Sequence, residues 1–171
     1  MKWYKSLDSM PIPKDEDKAF PIYFQFGFVE FPFLVTKALE FGLFKTYGIP
    51  SISKLLVATA ESTEKPFRRY DDTDLLIREF MEHAPNSSRA NTALRRLNAL
   101  HGKYVISNAD YLYVLSVFII EPCSWVDKYG YRKCHVLEKR CAYLIWRNIA
   151  LKMGMTDIPP SYEATLRYME D

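Results

Sequence analysis

The stretch Ser107-Asn108-Ala109-Asp110-Tyr111-Leu112-Tyr113-Val114-Leu115-Ser116-Val117-Phe118-Ile119-Ile120 decides the fold. Ser107 and Asp110 have the spacing of a capping-box variant, in which side-chain oxygens take up the free amides of a helix's first turn. Tyr111 to Ile120 is then apolar on nearly every side, and a helix without a polar face has to be covered by other elements. The stretch predicts a central buried helix, interrupted at Pro122, where the ring removes a donor and crowds the preceding turn.

Downstream, the segment around Trp125 and Tyr129 leads to Gly130, and an amphipathic helix is expected from His135 to Met153, closed by Gly154. A last helix starts at Pro159-Pro160-Ser161 and meets no stop signal before Asp171. Upstream, Asn86-Ser87-Ser88 offers a cap for a helix to about Tyr104, and a further helix over Asp72 to His83 stops before Pro85. Glu61 to Arg69 is polar, charged and contains Pro66, which predicts an exposed loop. Earlier still, Ala19 to Phe44 is dense in Phe, Tyr, Leu and Val and is cut by Pro21 and Pro32, so two helices should meet near Pro32. The second, Phe33 to Tyr47, sets Leu34, Ala38, Phe41 and Phe44 at helical spacing, and a short helix, Ser51 to Ala58, follows. Residues 1–14, with Pro11 and Pro13, read as an irregular lead-in. No segment alternates as a strand does. The expected architecture is all-α, a single domain of about seven helices.

A chain of 171 residues, 49% apolar with six glycines, has the material for one packed core and is not of disordered composition. Its formal charge is +2 with both signs interleaved, so no field over the whole molecule draws it to nucleic acid. Cys123, Cys134 and Cys141 form no metal-type spacing and read as reduced, buried thiols. The first residues, Met1-Lys2-Trp3-Tyr4, lack an apolar signal run, and no stretch of eighteen uncharged apolar residues predicts a transmembrane segment.

The chemistry-bearing stretch is Asn86 to Tyr104, where Leu94, Leu97, His101 and Tyr104 share one helical face. His101 reads either as a core histidine held by a hydrogen bond or as a metal ligand or proton carrier. Asn98, three residues earlier, lies on the same face and could orient it. Arg96 lies about 140° round the helix and reads either as a solvated arginine or as one curling into the same pocket. His83 and His135 stand at helix ends and read as surface or capping residues.

The run Asn86-Ser87-x-Arg89-Ala90-Asn91, then Ala93-x-x-Arg96-x-Asn98-x-Leu100-His101, resembles the catalytic-domain family of the fungal ER-bound oxygenase mpaB and the rubber oxygenases (latex clearing proteins). The likeness extends through Ile106-Ser107-Asn108-x-Asp110-x-Leu112-Tyr113 and Glu121-Pro122 to Trp125 and Tyr129, and upstream to Trp3-Tyr4-Lys5, Glu30-Phe31-Pro32-Phe33-Leu34 and Thr46 to Leu56. What it implies is a haem b protein that uses dioxygen to cleave a carbon–carbon double bond in a prenyl chain. On that carry-over His101 faces the haem iron as metal ligand, while Arg96 and Asn98 complete the catalytic element and Arg96 helps hold the cofactor. The resemblance further implies a hydrophobic prenylated substrate, a peripheral membrane contact and an endoplasmic reticulum location. Since the family is longer, residues 1–171 are expected to be a partial catalytic domain.

The chain departs from the family at one point. The rubber-oxygenase branch places a second, proximal histidine on the next buried helix, and Leu112 to Phe118 contains none. Either His101 is the main ligand, or His83 or His135 substitutes, or the cofactor is held differently. Two other readings stand beside the oxygenase. One is a truncated, non-catalytic relative that keeps the fold. The other is an interaction module using Arg89, Arg95, Arg96 and Lys103 as a basic face, against which the near-neutral total charge argues.

Overall fold

A computed structural model describes residues 3–58 and 66–170, with the backbone alone over 66–73. Among the described residues there is no strand. A 3-10 turn, Trp3–Ser9, precedes α1 (Glu16–Phe24), which continues as a π-helical segment, Gln25–Glu30. Then come α2 (Pro32–Thr46), α3 (Pro50–Ala58), α4 (Pro66–Glu82), α5 (Ser88–His101), α6 (Asn108–Tyr129), α7 (Val136–Lys152) and α8 (Tyr162–Glu170). The all-α expectation holds, with eight α-helices among the described residues where about seven were expected.

Capping chemistry sets most boundaries. Ser87 Oγ accepts from Ala90 N at 3.2 Å and Ser107 Oγ from Asp110 N at 3.0 Å, so both predicted caps start their helices. His135 closes α7 in an unusual box: its Nδ1 accepts from Leu137 N while Glu138 Oε2 accepts from His135 N. Gly154 takes a positive φ of 78° after the last turn of α7, a conformation that favours glycine.

The central helix is where it was expected. In α6, no residue from Tyr111 to Cys123 is exposed, and Leu115, Val117, Ile119 and Ile120 are in the deep core. The helix packs against α2, α7 and α8, while α1 lies along α7 and α4 along α5. Its length and hydropathy match a bilayer-crossing helix, but 56% of that apolar window is buried inside the fold, as in a core helix. Trp146 ties three elements together, stacking on Phe118 at 4.8 Å and donating to Tyr23 Oη at 2.9 Å.

Three expectations are corrected. Pro122 does not interrupt α6, which runs on to Tyr129. A mid-helix proline costs about 3 kcal/mol, and burial of Cys123 and Val126 in the next turn offsets it. The lead-in 1–14 is not irregular over Trp3–Ser9, because Leu7 is drawn into the core. The expected loop over 61–69 lies outside the described residues up to 65, and from Pro66 the chain is helical, with proline at the first helical position, where its fixed φ suits a helix start. The helix α2 does not bury its phenylalanines. It buries Val35, Ala38, Leu39, Gly42 and Thr46, leaving Phe33 and Phe44 exposed. Close approach to α6 is the reason: a Cβ on Gly42 would stand 2.5 Å from Val117 Cγ1.

The bend between the first two long elements is 98°, at Phe31. Beside it lies a buried charge cluster. Glu138, 0% exposed, takes both arms of the Arg132 guanidinium at 2.6 and 2.8 Å, and Arg132 in turn lies over the rings of Phe31 and Tyr4 at 4.9 and 5.3 Å. Tyr131 Oη donates to Glu30 in the same cluster. A buried carboxylate is tolerable only when so paired.

Candidate functional site

Three of the asparagines in the Asn86 to His101 stretch converge on one lysine. Lys152, in the last turn of α7, extends its ammonium to Asn86 Oδ1 at 2.9 Å, Asn91 Oδ1 at 3.2 Å and Pro85 O at 2.8 Å. Asn98 Nδ2 donates to the Lys152 carbonyl at 3.0 Å. One residue thus binds the start of α5 through its side chain and the end of α5 through its backbone. A second clasp joins α6 to the loop after α7, where Asn108 and Thr156 exchange two hydrogen bonds at 3.0 Å. Both clasps fix the register of α5 and α6 against α7.

His101 stands at the C-terminal end of α5, half-buried, with its ring 5.6 Å from that of Tyr111 at the start of α6. Burial pushes the Tyr111 phenol up, which keeps it protonated beside the imidazole. Asn98, expected to orient His101, is on the same helix end and ties it to α7. Arg96, expected to curl into the same pocket, is exposed. Leu94 is buried, Leu97 half-buried and Tyr104 exposed, so the predicted face is wetter toward its C-terminal end.

The other two histidines have defined work. His83 Nδ1 lies 3.5 Å from Glu79 one turn earlier. His135 Nδ1 accepts a backbone amide as the cap of α7, and its Nε2 meets Asp8 at 3.0 Å. Both roles agree with the reading of these residues as helix-end groups. The basic face is also altered in the fold, since Arg89 is engaged by Glu79 through two nitrogens at 2.6 and 3.0 Å. The three cysteines are free and buried, as expected. Burial pushes the Cys141 thiol up to about 12 and that of Cys134 well above the ordinary value, so neither is a ready nucleophile.

Two cavities stand out, and neither is lined by His101. One of about 10 Å³ lies under α5, between Phe80, Leu94, Ile149 and Lys152. The other is an open groove of about 670 Å³ between the N-terminal turn and α7, with Met10, Arg140, Tyr143, Arg147 and Ile158 on its walls. Haem b, which the resemblance implies, needs an axial ligand and apolar cover on both faces. The described residues fit the first requirement with His101, and one wall with Tyr111. They do not build the enclosing pocket.

Sequence reasoning missed Lys152 and Tyr111. Nothing in the sequence around Lys152 marks it out, and the only available signal is the clustering of three asparagines, Asn86, Asn91 and Asn98, in one short stretch.

Comparison with known proteins agrees with the motif. The chain is 36% identical over 172 residues to the ER-bound oxygenase mpaB of Penicillium roqueforti (strain FM164), covering 96% of this chain and 57% of that protein. It is 35% identical over 166 residues to the ER-bound oxygenase mpaB of Penicillium brevicompactum, covering 93% of this chain and 42% of that protein. A second protein of Penicillium brevicompactum, the ER-bound oxygenase mpaB', is 35% identical over the same length. No protein-family model and no solved structure matches. The chain spans about half the length of the curated relatives it matches. It belongs to the family of the fungal ER-bound oxygenases mpaB.

Proposed function

We propose that the chain is an oxygenase-type protein that opens a carbon–carbon double bond in a hydrophobic prenyl chain, with His101 as the residue facing its haem b. The observation that carries this reading is the clasp of Asn86, Asn91 and Asn98 on Lys152, which holds the helix bearing His101 at fixed height and register. A site residue needs such support if its geometry is to be reproducible. Bound haem would supply the activation of dioxygen. The chain's own contribution is to present the imidazole at a helix end beside Tyr111 and to keep α5 and α6 from sliding. In this reading Arg96, exposed near the same helix end, meets a carboxylate such as a haem propionate. The overall change adds one atom of dioxygen to each carbon of the cleaved double bond, giving two carbonyl groups with no other oxidant. Names of the relatives support an oxygenase and an association with the endoplasmic reticulum.

The test is mass spectrometry of a prenylated aromatic compound incubated with the haem-supplemented protein under isotopically heavy dioxygen. A shortened carbonyl product carrying the heavy oxygen supports the reading. No product, or an unlabelled one, overturns it. A second reading, a non-catalytic relative that keeps the fold, is favoured by one observation: the Leu112 to Phe118 segment holds no histidine and spends its side chains on the core. It predicts neither product nor haem uptake.

A further inference from the structure

Along the outside of α2 runs a stripe of aromatic side chains that the core does not use. Phe33 and Phe44 are 69% and 70% exposed, and Tyr47, one turn on, is exposed as well. The stripe continues sideways onto α6. Phe41 stacks with Phe44 at 6.4 Å and meets Trp125 at 5.6 Å, and Trp125 meets Tyr129 at 5.4 Å. Lysines are interleaved with it: Lys45 lies 5.6 Å from the centre of the Phe41 ring, Lys128 lies 5.1 Å from that of Tyr129, and Lys37 sits between Phe33 and Phe41 in the stripe. The nearby carboxylates are matched by these cations, Glu40 by Lys37 at 2.6 Å and Glu121 by Lys45 at 2.5 Å. The face therefore presents aromatics and a net positive charge from Lys128.

We propose that this face docks on the surface of an anionic phospholipid bilayer, with Phe33, Phe44 and Tyr47 entering the headgroup region and the lysines interleaved among them facing the headgroups. The inference rests on the membrane association proposed above and names the surface that makes it. Phenylalanine, tyrosine and tryptophan partition to the boundary between headgroups and acyl chains. Lysine stems lie along apolar surface while their ammonium groups reach anionic headgroups. A protein partner fits this face less well, because the centres of protein interfaces are depleted in lysine, and here lysines run through the stripe. Exposure of the phenylalanines is built in by the fold: Gly42 and Ala38 must face α6, so the large residues point away.

Flotation with vesicles of phosphatidylcholine and phosphatidylserine tests it. The wild-type protein is expected to float with the vesicles, and the double variant Phe33→Ser/Phe44→Ser to lose at least about tenfold in partitioning, with unchanged circular dichroism. Val105→Ser, at a fully exposed valine off the stripe, should float like the wild type. Wild-type protein that stays in the aqueous phase overturns the membrane association itself. Wild-type protein that floats equally well after the double substitution overturns the assignment of the face alone. A dimer that dissociates in the double variant, with no binding to vesicles, gives the face to a second copy of the chain and also overturns the proposal.

Discussion

Gly42→Ala should destabilise the protein, although alanine is the better helix former. Exchanging glycine for alanine inside a helix gains about 1 kcal/mol from backbone entropy. The added methyl, however, would stand 2.5 Å from Val117 Cγ1, about 1 Å inside the normal carbon–carbon contact. Val117 is β-branched and fully buried, so its methyl has nowhere to swing, and overpacking of this kind costs about 1 to 3 kcal/mol. The expected net loss is about 1 kcal/mol, seen as a melting temperature lower by about 2 to 4 °C for a chain of this size. In a Val117→Ala background the obstructing methyl is gone, and the other neighbours stand at ordinary distances of 3.9 and 4.0 Å. There Gly42→Ala should stabilise by about 1 kcal/mol, giving a coupling of about 2 kcal/mol between the two sites. Urea unfolding of the four proteins of this cycle is the assay. If Gly42→Ala raises stability equally in both backgrounds, α2 and α6 are not in the close contact that turns the phenylalanines outward.

Lys152→Met removes the ammonium shared by Asn86, Asn91 and Pro85 and should cost about 2 kcal/mol, since hydrogen bonds to a charged donor are worth more than neutral ones; a thermal melt within experimental error of the wild type would show that the clasp holds nothing. Stability should also fall at alkaline pH. Burial raises the Cys141 thiol from 9.0 to about 12, so between those values the unfolded chain gives up a proton that the folded chain keeps. Stability is then fully present below pH 9 and declines above it, at up to about 1.4 kcal/mol per pH unit for one such group. Denaturation midpoints measured from pH 8 to 11 check this, and a flat profile would mean that Cys141 is not buried as described.

Much of the fold was legible because local chemistry fixes it. Ser87, Ser107 and Gly154 mark helix ends through bonds or torsions that depend on few neighbours, and the all-round apolarity of Tyr111 to Ile120 admits no exposed face. The outcomes that sequence reading missed depend on partners distant in the chain. Nothing local says that Leu7 will be covered, or that Pro122 will be carried through its helix by the burial of Cys123 and Val126. Helical spacing alone does not say which side of α2 faces inward, and the geometry of closest approach selected Gly42 and Ala38 over Phe33 and Phe44. The site was legible in part. The helix that carries His101 was readable from its cap and apolar face, but Lys152, far along the chain, organises the asparagines on it, and Arg96 is on the solvent side.

The central claim, that His101 faces a haem, is tested most directly by the visible absorption spectrum of the protein produced with haem supplied. The account predicts a Soret band in the wild type that is shifted or lost in His101→Ala, with both proteins equally helical by circular dichroism. A wild-type protein without that band, or a His101→Ala variant with the same band, would contradict it.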